Sequence, residues 1–410
     1  VPRRILYLSQ WFLPEPITAG HKLARSLQAR GFDVEVLTGF PNYPSGKLAP
    51  GYCLSPHMRE EIDGVAVHRV FLFPSHDRSS IGRMLNYLSF FLSAFLFCLF
   101  RARRYDLIYV YHPPITTGLA AALSGLITRK PFMLEVQDLW PDSVAASGMS
   151  ATSALSRILG PICNFVYRRA AFVFGQSEGM TARLVERGVS SERADVFFNW
   201  ADEEAARPNG LYDVAMLNFE GRFNFVYAGN LGTVQALETL VEAAHLVARE
   251  VPHVQLTLIG NGTERMRLEN LVRDLGASNI QICDGIPPSH IGDVLAAADV
   301  LVAHLKDDPL FQITIPSKTQ FYLAMGKPIL IGVSGAAAQI VTEAGAGIAV
   351  PPEDVDALSK AMLHLASLRQ GELDAMGVRG RRAYDTRFAF NSTVSRIAGQ
   401  INRVMEAECR

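Results

Sequence analysis

The chain has 410 residues and a formal net charge of −1. That length exceeds one ordinary core, so two domains of about 200 residues are expected, and near-neutrality removes any global pull toward nucleic acid. Five cysteines stand singly with no CxxC pair, which argues against a disulfide framework or a zinc site and for a reducing compartment.

Residues 5–9 form a compact apolar run of the parallel-strand kind, so no cleavable signal is expected ahead of them. The loop through Pro14, Pro16 and Gly20 precedes a helix to residue 30, and 34–38 is the next strand. This strand–loop–helix–strand order opens a doubly wound fold, which binds ligands at the carboxyl ends of its strands. Gly20 sits where backbone can approach a phosphate or sugar, or it serves the turn alone. Residues 40–52 are a long loop in the same zone, and 65–71 is a strand.

Residues 85–100 are apolar nearly all round, with arginines at both ends. The run is about 16 residues, short of the roughly 20 a span needs. A buried helix, a helix lying in a membrane interface and a true span are the readings.

The strands 106–111 and 132–137 end in His112 and in Asp138-Leu139-Trp140-Pro141-Asp142. Polar groups just past parallel strands point into the ligand crevice, so His112, Glu135, Asp138 and Asp142 are acid/base candidates. A carboxylate beside tryptophan is costly without a use, which favours Asp138. A helix to 169, a strand at 172–177, a helix to 187 and a strand at 195–198 complete this half. Periodicity fades over 203–221, the expected linker.

The second half repeats the pattern. The strand 223–228 runs into Gly229-Asn230-Leu231-Gly232, a glycine pair suited to close phosphate approach. The strand 254–259 ends in Gly260-Asn261-Gly262, and 280–283 leads to Asp284-Gly285-Ile286. The strand 300–303 leads to Asp307 and Asp308. Then Pro316 and Ser317, a proline and a capping serine, open a short helix that Gly326 closes. Its free N–H groups, its dipole and Lys318 make an anion seat without a metal. Asp354 is expected to cap the helix 355–368, and the last helix, 391–406, is amphipathic.

These motifs, in this order, resemble the donor half of the family 4 glycosyltransferases. Gln10-Trp11-Phe12, the 41–46 loop, Asp138-Leu139-Trp140-Pro141 and Ile315-Pro316-Ser317-Lys318 resemble the subgroup of WbuB and WcaI type, active in O-antigen and colanic-acid synthesis. The resemblance implies a GT-B fold: α/β, two facing Rossmann-like domains with a deep inter-domain cleft. It implies an acceptor domain at 1–205, a nucleotide-sugar domain at 206–387 and a helix at 388–410 crossing back. The donor diphosphate is expected at Gly229, Asn230, Gly232, Pro316, Ser317 and Lys318, and the base and ribose beside Gly260, Gly262 and Ile286, with Gly20 lining the cleft. Thr18, Tyr43, Glu135, Trp140 and Asn199 are expected on the acceptor side, and Asp138, Lys318 and His112 in the chemistry.

This sequence also departs from the family. Asn230 and Gln235 replace an arginine and a lysine. Ile313 and Phe321 occupy the two glutamate positions, leaving Asp307 and Asp308 as candidate sugar contacts. Tyr111, not His112, aligns with the family histidine. The implied activity is retaining, metal-independent transfer of a sugar, such as N-acetylfucosamine, from a UDP-sugar. The acceptor would be a polyprenyl-diphosphate-linked sugar at the cytoplasmic face of the inner membrane, with no cofactor and no nucleic acid. The alternatives are a UDP-sugar 2-epimerase and a non-catalytic sugar-nucleotide-binding scaffold.

Overall fold

A computed structural model describes residues 2–75, 80–143 and 153–408. The chain divides into two compact units, residues 1–197 with 394–410, and residues 198–393. This division runs at Phe197 rather than at 205 because the intervening residues pack in the second unit. The Ala201 N–H donates to the Tyr384 hydroxyl at 3.1 Å, and that hydroxyl donates to Glu203 at 2.9 Å.

The first unit holds an eight-stranded sheet in the order β3-β4-β2-β1-β5-β6-β7-β8. The strands are β1 Arg4–Leu8, β2 Asp33–Gly39, β3 His57–Ile62, β4 Val65–Val70, β5 Leu107–His112, β6 Phe132–Val136, β7 Phe172–Gly175 and β8 Ala194–Val196. Apolar runs at β1, β5, β6 and β7 place them inside a parallel sheet covered on both faces. Among the described residues only β3 pairs antiparallel, against β4. Its sequence, HMREEI, has no apolar run, and it lies at the sheet edge with alternating exposure.

Helix α1 (Ala19–Gln28) follows β1, α2 (Ser80–Arg101) precedes β5, and α3 (Ile115–Thr128) follows it. Helix α2 has two faces. Asn86, Phe90, Ala94, Phe97 and Cys98 are buried, whereas Ile81, Met84, Leu85, Leu88, Leu92, Leu96 and Phe100 are exposed. The exposed set recurs at three- and four-residue steps, so it forms one stripe. By length and composition this helix is able to cross a membrane.

The second unit has a six-stranded parallel sheet in the order β11-β10-β9-β12-β13-β14. Its strands are β9 Phe223–Ala228, β10 Val254–Ile259, β11 Ile280–Cys283, β12 Val300–His304, β13 Ile329–Gly332 and β14 Gly347–Val350. The order reverses between β9 and β12, which opens a crevice at their carboxyl ends. Asp354 caps the helix Val355–Ser367 by accepting from the Ala357 N–H at 2.9 Å. The last helix, Phe390–Glu408, buries Val394, Ile397, Ile401, Val404 and Met405 on one face in the first unit. Cys53, Cys98, Cys163 and Cys283 are free thiols, and Cys409 lies outside the described residues.

One buried cation pins the loops that follow β1 and β2. Arg69 on β4 is fully enclosed. It donates to Glu60, to the Leu13 carbonyl and, at 3.0 Å, to the Gly39 carbonyl, and it lies 4.8 Å over the Tyr52 ring. Removing one partner of a buried pair strands the other. Arg69→Met is therefore expected to lower unfolding stability by about 3 kcal/mol, read from urea denaturation.

Candidate functional site

In the second unit, three strand ends crowd together at the crevice. Gly229 at φ 148° and Gly260 at φ 149° follow β9 and β10. A Cβ on Gly260 would meet the Gly229 carbonyl at 1.8 Å, and one on Gly262 the Leu231 carbonyl at 2.2 Å. Only glycine permits this approach. The Gly229 N–H donates to Ile259 at 2.8 Å, the Leu231 N–H to Asn261 at 2.9 Å and the Gly260 N–H to Cys283 at 3.0 Å.

Above these loops lies a cavity of 510 Å³ within this unit. Its floor is Gly229, Asn230 and Gly260, and Ser317, Lys318 and Phe321 come from the helix Ser317–Met325. That helix differs from expectation at its start. Pro316 holds the capping position and Ser317 is the first helical residue, with no side-chain cap. The Thr319 N–H donates back to the Pro316 carbonyl at 2.8 Å, and the N–H groups ahead of it in the first turn have no acceptor inside the helix, which suits an anion.

The Lys318 ammonium sits 4.7 Å over the Tyr227 ring, and a Cβ on Gly229 would meet it at 2.5 Å. Burial lowers its pKa to about 8, because the charged form loses water and gains no carboxylate. The Tyr227 hydroxyl is committed elsewhere, donating to the Asn230 carbonyl at 2.7 Å. The Ala228 N–H donates to the Tyr322 hydroxyl at 3.2 Å, which ties the strand end to the lysine's helix.

The cavity therefore gathers Gly229, Asn230, Gly260, Ile286, Ser317, Lys318 and Phe321 from the sequence candidates. Others support its walls without lining it. The Gln235 side chain accepts from the Gly232 N–H at 3.1 Å and fixes that loop, while Gly262 supplies the close approach described above. Asp308 is a helix cap, accepting from the Leu310 N–H at 2.8 Å. The Asp307 N–H donates to Glu353 at 2.7 Å. Neither aspartate is among the residues that line the cavity. Asn199, expected on the acceptor side, belongs to the second unit, and its neighbours Trp200, Ala201 and Asp202 line this same cavity. These three follow directly on the strand read at 195–198, ahead of the aperiodic stretch 203–221.

In the first unit, the carboxyl ends of β1, β5 and β6 form a second polar cluster. Glu135 accepts from the Tyr109 hydroxyl at 2.7 Å and from the Gln137 amide. Tyr7 stacks on Tyr109 at 5.8 Å. Burial raises the Glu135 carboxyl to about 7, because ionisation there lacks water. Gly20 lies under this group; a Cβ there would meet the Tyr7 hydroxyl at 2.7 Å. The helix α1 includes Gly20 as its second residue, and Thr18 takes the capping position without a side-chain bond.

His112 is wholly enclosed, with the Trp140 and Tyr167 rings edge-on at 6.2 Å. Among the described residues neither ring nitrogen has a hydrogen-bond partner. Desolvation lowers its pKa to about 3. It is therefore neutral near pH 7, enclosed between aromatic rings rather than open to solvent. Asp138 differs. Its side chain is open to solvent, although nearby protein raises its pKa above the ordinary value; the exposure limits that rise. Around it Trp11 meets Tyr43 at 5.5 Å and Tyr87 at 6.4 Å, and Tyr87 meets Trp140 at 6.3 Å.

Two polar residues that the sequence left unmarked hold these loops. Buried Glu15 accepts from the N–H groups of Phe12, Asn42 and Tyr43 at 2.8 to 2.9 Å. Asn86 of α2 accepts from Gln10 at 2.5 Å and donates to Asn42 at 3.2 Å and to the Phe73 carbonyl at 2.7 Å.

Residues 17–200 match the model of a glycosyl transferase 4-like domain, and residues 222–367 match that of glycosyl transferases group 1. WbjE of Pseudomonas aeruginosa, described as a glycosyltransferase, is 27% identical over 318 residues, 75% of this chain and 77% of its own length. WcaI of Escherichia coli K12, assigned by name to colanic acid biosynthesis, is 28% identical and covers 85% of this chain and 86% of its own. The crystal structure of Anabaena HepE in complex with UDP-glucose has the same fold. It matches with a TM-score of 0.70 at 16% identity, covering 98% of this chain and 99% of that one. Two transferase domains in this order, on two parallel-sheet units, make the chain a member of the family 4 glycosyltransferases with the GT-B fold.

Proposed function

We propose that the chain transfers a sugar from a UDP-sugar to a polyprenyl-diphosphate-linked sugar during surface polysaccharide synthesis, with retention and without a bound metal. The observation that carries this reading is Lys318, an ammonium held over Tyr227 at a helix start facing glycine backbone. A diphosphate gains charge as it leaves a sugar, and fixed N–H donors with a cation stabilise that change. The relatives support the polysaccharide context by their names, and HepE binds UDP-glucose. N-acetylfucosamine is the donor sugar we favour.

In the first unit, Asp138 takes the acceptor hydroxyl's proton. It is the exposed carboxylate, while Glu135 keeps its own proton to about pH 7. The rings of Trp11, Tyr43, Tyr87 and Trp140 offer apolar faces to an acceptor sugar. Tyr87 and Asn86 belong to α2, whose opposite face is the exposed apolar stripe. We place that stripe on the inner face of the cell membrane, where an amphipathic helix gives peripheral binding. The decisive assay supplies UDP- and GDP-sugars with lipid-linked N-acetylglucosamine and reads products by mass, with and without a chelator. A new isomer formed from UDP-N-acetylglucosamine alone would instead indicate an epimerase.

Lys318→Ala is expected to weaken UDP binding at least tenfold in calorimetry with an unchanged melting temperature; equal affinity would remove the lysine from this role. The wild-type dissociation constant should rise as pH climbs past about 8, where the ammonium is lost, and Lys318→Arg should flatten that rise. Leu88→Glu with Leu92→Glu should release the protein from vesicles in co-sedimentation, since both are exposed and neither supports the core. Finally, a folded carboxyl at about 7 holds its proton where the unfolded chain has lost it. Glu135 therefore favours the folded state most at low pH, and that contribution is lost as pH rises from the ordinary carboxylate range through 7. Glu135→Gln should remove this loss between pH 5 and pH 8, read from urea midpoints.

A further inference from the structure

At the amino ends of β6 and β7 lies a second cavity, of 360 Å³. Arg129, Lys130, Arg168, Arg169 and Arg193 line it together with Leu126, and among the described residues no carboxylate does. The cations have two different situations. Arg168 donates to the Arg187 carbonyl at 2.8 Å and Arg193 to the Ala170 carbonyl at 3.2 Å. These two are accounted for as caps on chain ends. Arg129, Lys130 and Arg169 have no side-chain hydrogen bond and no ion pair among the described residues. Neutralising the negative ends of α3 and of the helix Ser153–Arg169 is the bland explanation. It does not explain why three cations leave every carbonyl alone and line an open cavity.

The surroundings are apolar on one side. Leu126 and Ile127 on the last turn of α3 are 49% and 58% exposed, and Phe100 on the last turn of α2 is 79% exposed. Helices α2 and α3 both run toward this edge of the sheet, and Cys98 contacts Ser124 between them. Arg103 and Arg104, just past α2, are exposed at the same edge. The cavity is far from the groups assigned to transfer. Asp138 lies beyond the carboxyl end of β6, whereas Phe132, which lines the cavity, starts that strand and is three residues, roughly 10 Å at about 3.3 Å each, from Glu135; the donor cavity belongs to the other unit.

We propose that this cavity is a seat for a phosphate ester, the headgroup of an anionic phospholipid whose chains lie beside Leu126, Ile127 and Phe100. Guanidinium forks match phosphate oxygens, and a basic pocket with an apolar rim matches a lipid phosphate better than a soluble one. The seat does not depend on which sugar is transferred.

The test uses the full chain with Arg129→Asn, Lys130→Gln and Arg169→Gln combined; asparagine suits position 129, whose φ is 59°. Co-sedimentation compares vesicles of phosphatidylcholine alone with vesicles that also contain phosphatidylglycerol. A control removes three arginines elsewhere, Arg267→Gln, Arg379→Gln and Arg382→Gln. The expected result is at least a tenfold loss of the phosphatidylglycerol preference in the first variant only. Unchanged UDP binding and melting temperature would show that the donor site and the fold survive. Calorimetry with glycerol 3-phosphate separates the sources: saturable binding by wild type but not by the variant, with no vesicle preference, supports the seat with a soluble phosphate in it. Equal behaviour of wild type and variant toward both probes, or an equal loss in the control, overturns the proposal.

Discussion

The second unit depends on one backbone contact, the Gly229 carbonyl pressed against Gly260. No side chain fits there; a single added carbon would sit 1.8 Å from that oxygen. The contact brings the ends of β9 and β10 together and leaves a shallow floor of peptide groups. Lys318 can then lie low across Tyr227 without a side chain from Gly229 in its path. Each piece is ordinary alone. Together they put a cation, a helix start and bare backbone on one small surface of the kind that suits an anion.

The first unit solves a different problem, which is how to hold long loops still. It does so with buried polar groups rather than with regular structure. Glu15 accepts three backbone N–H groups from the loops after β1 and β2, Arg69 donates to a carbonyl at each of the same two places, and Asn86 fastens α2 to Gln10 and Asn42. Buried polar groups are costly unless fully paired, so such a network fixes one arrangement over its rivals. The aromatic rings around Asp138 inherit their positions from it.

Most strands were legible because parallel strands buried on both faces are short apolar runs, and β9, β10 and β11 begin and end where the pattern says. The edge strand β3 was not legible, since HMREEI carries no apolar alternation. The helix Gln370–Arg387 was missed for a related reason. Its contact face uses Gly377 and Gly380, and Gly377 touches the Gly326 carbonyl, so close approach replaces the large apolar stripe that periodicity detects. At the site, glycines after strands and Lys318 after Pro316 were readable from local chemistry. Glu15 and Trp200 were not, because their value lies in partners far along the chain. His112 was misread for the converse reason: its position past a strand is right for function, but Trp140 and Tyr167 close over it.

An amine that gives up its proton near pH 8 is also a nucleophile. Most lysines in water are blocked from that chemistry by two more pH units of protonation. Lys318 would therefore be acylated or reductively alkylated ahead of its exposed counterparts, and an anion seated on the glycine floor would shield it by restoring its charge. The same burial that lowers the Lys318 pKa thus marks its amine as a point for a covalent probe on the second unit.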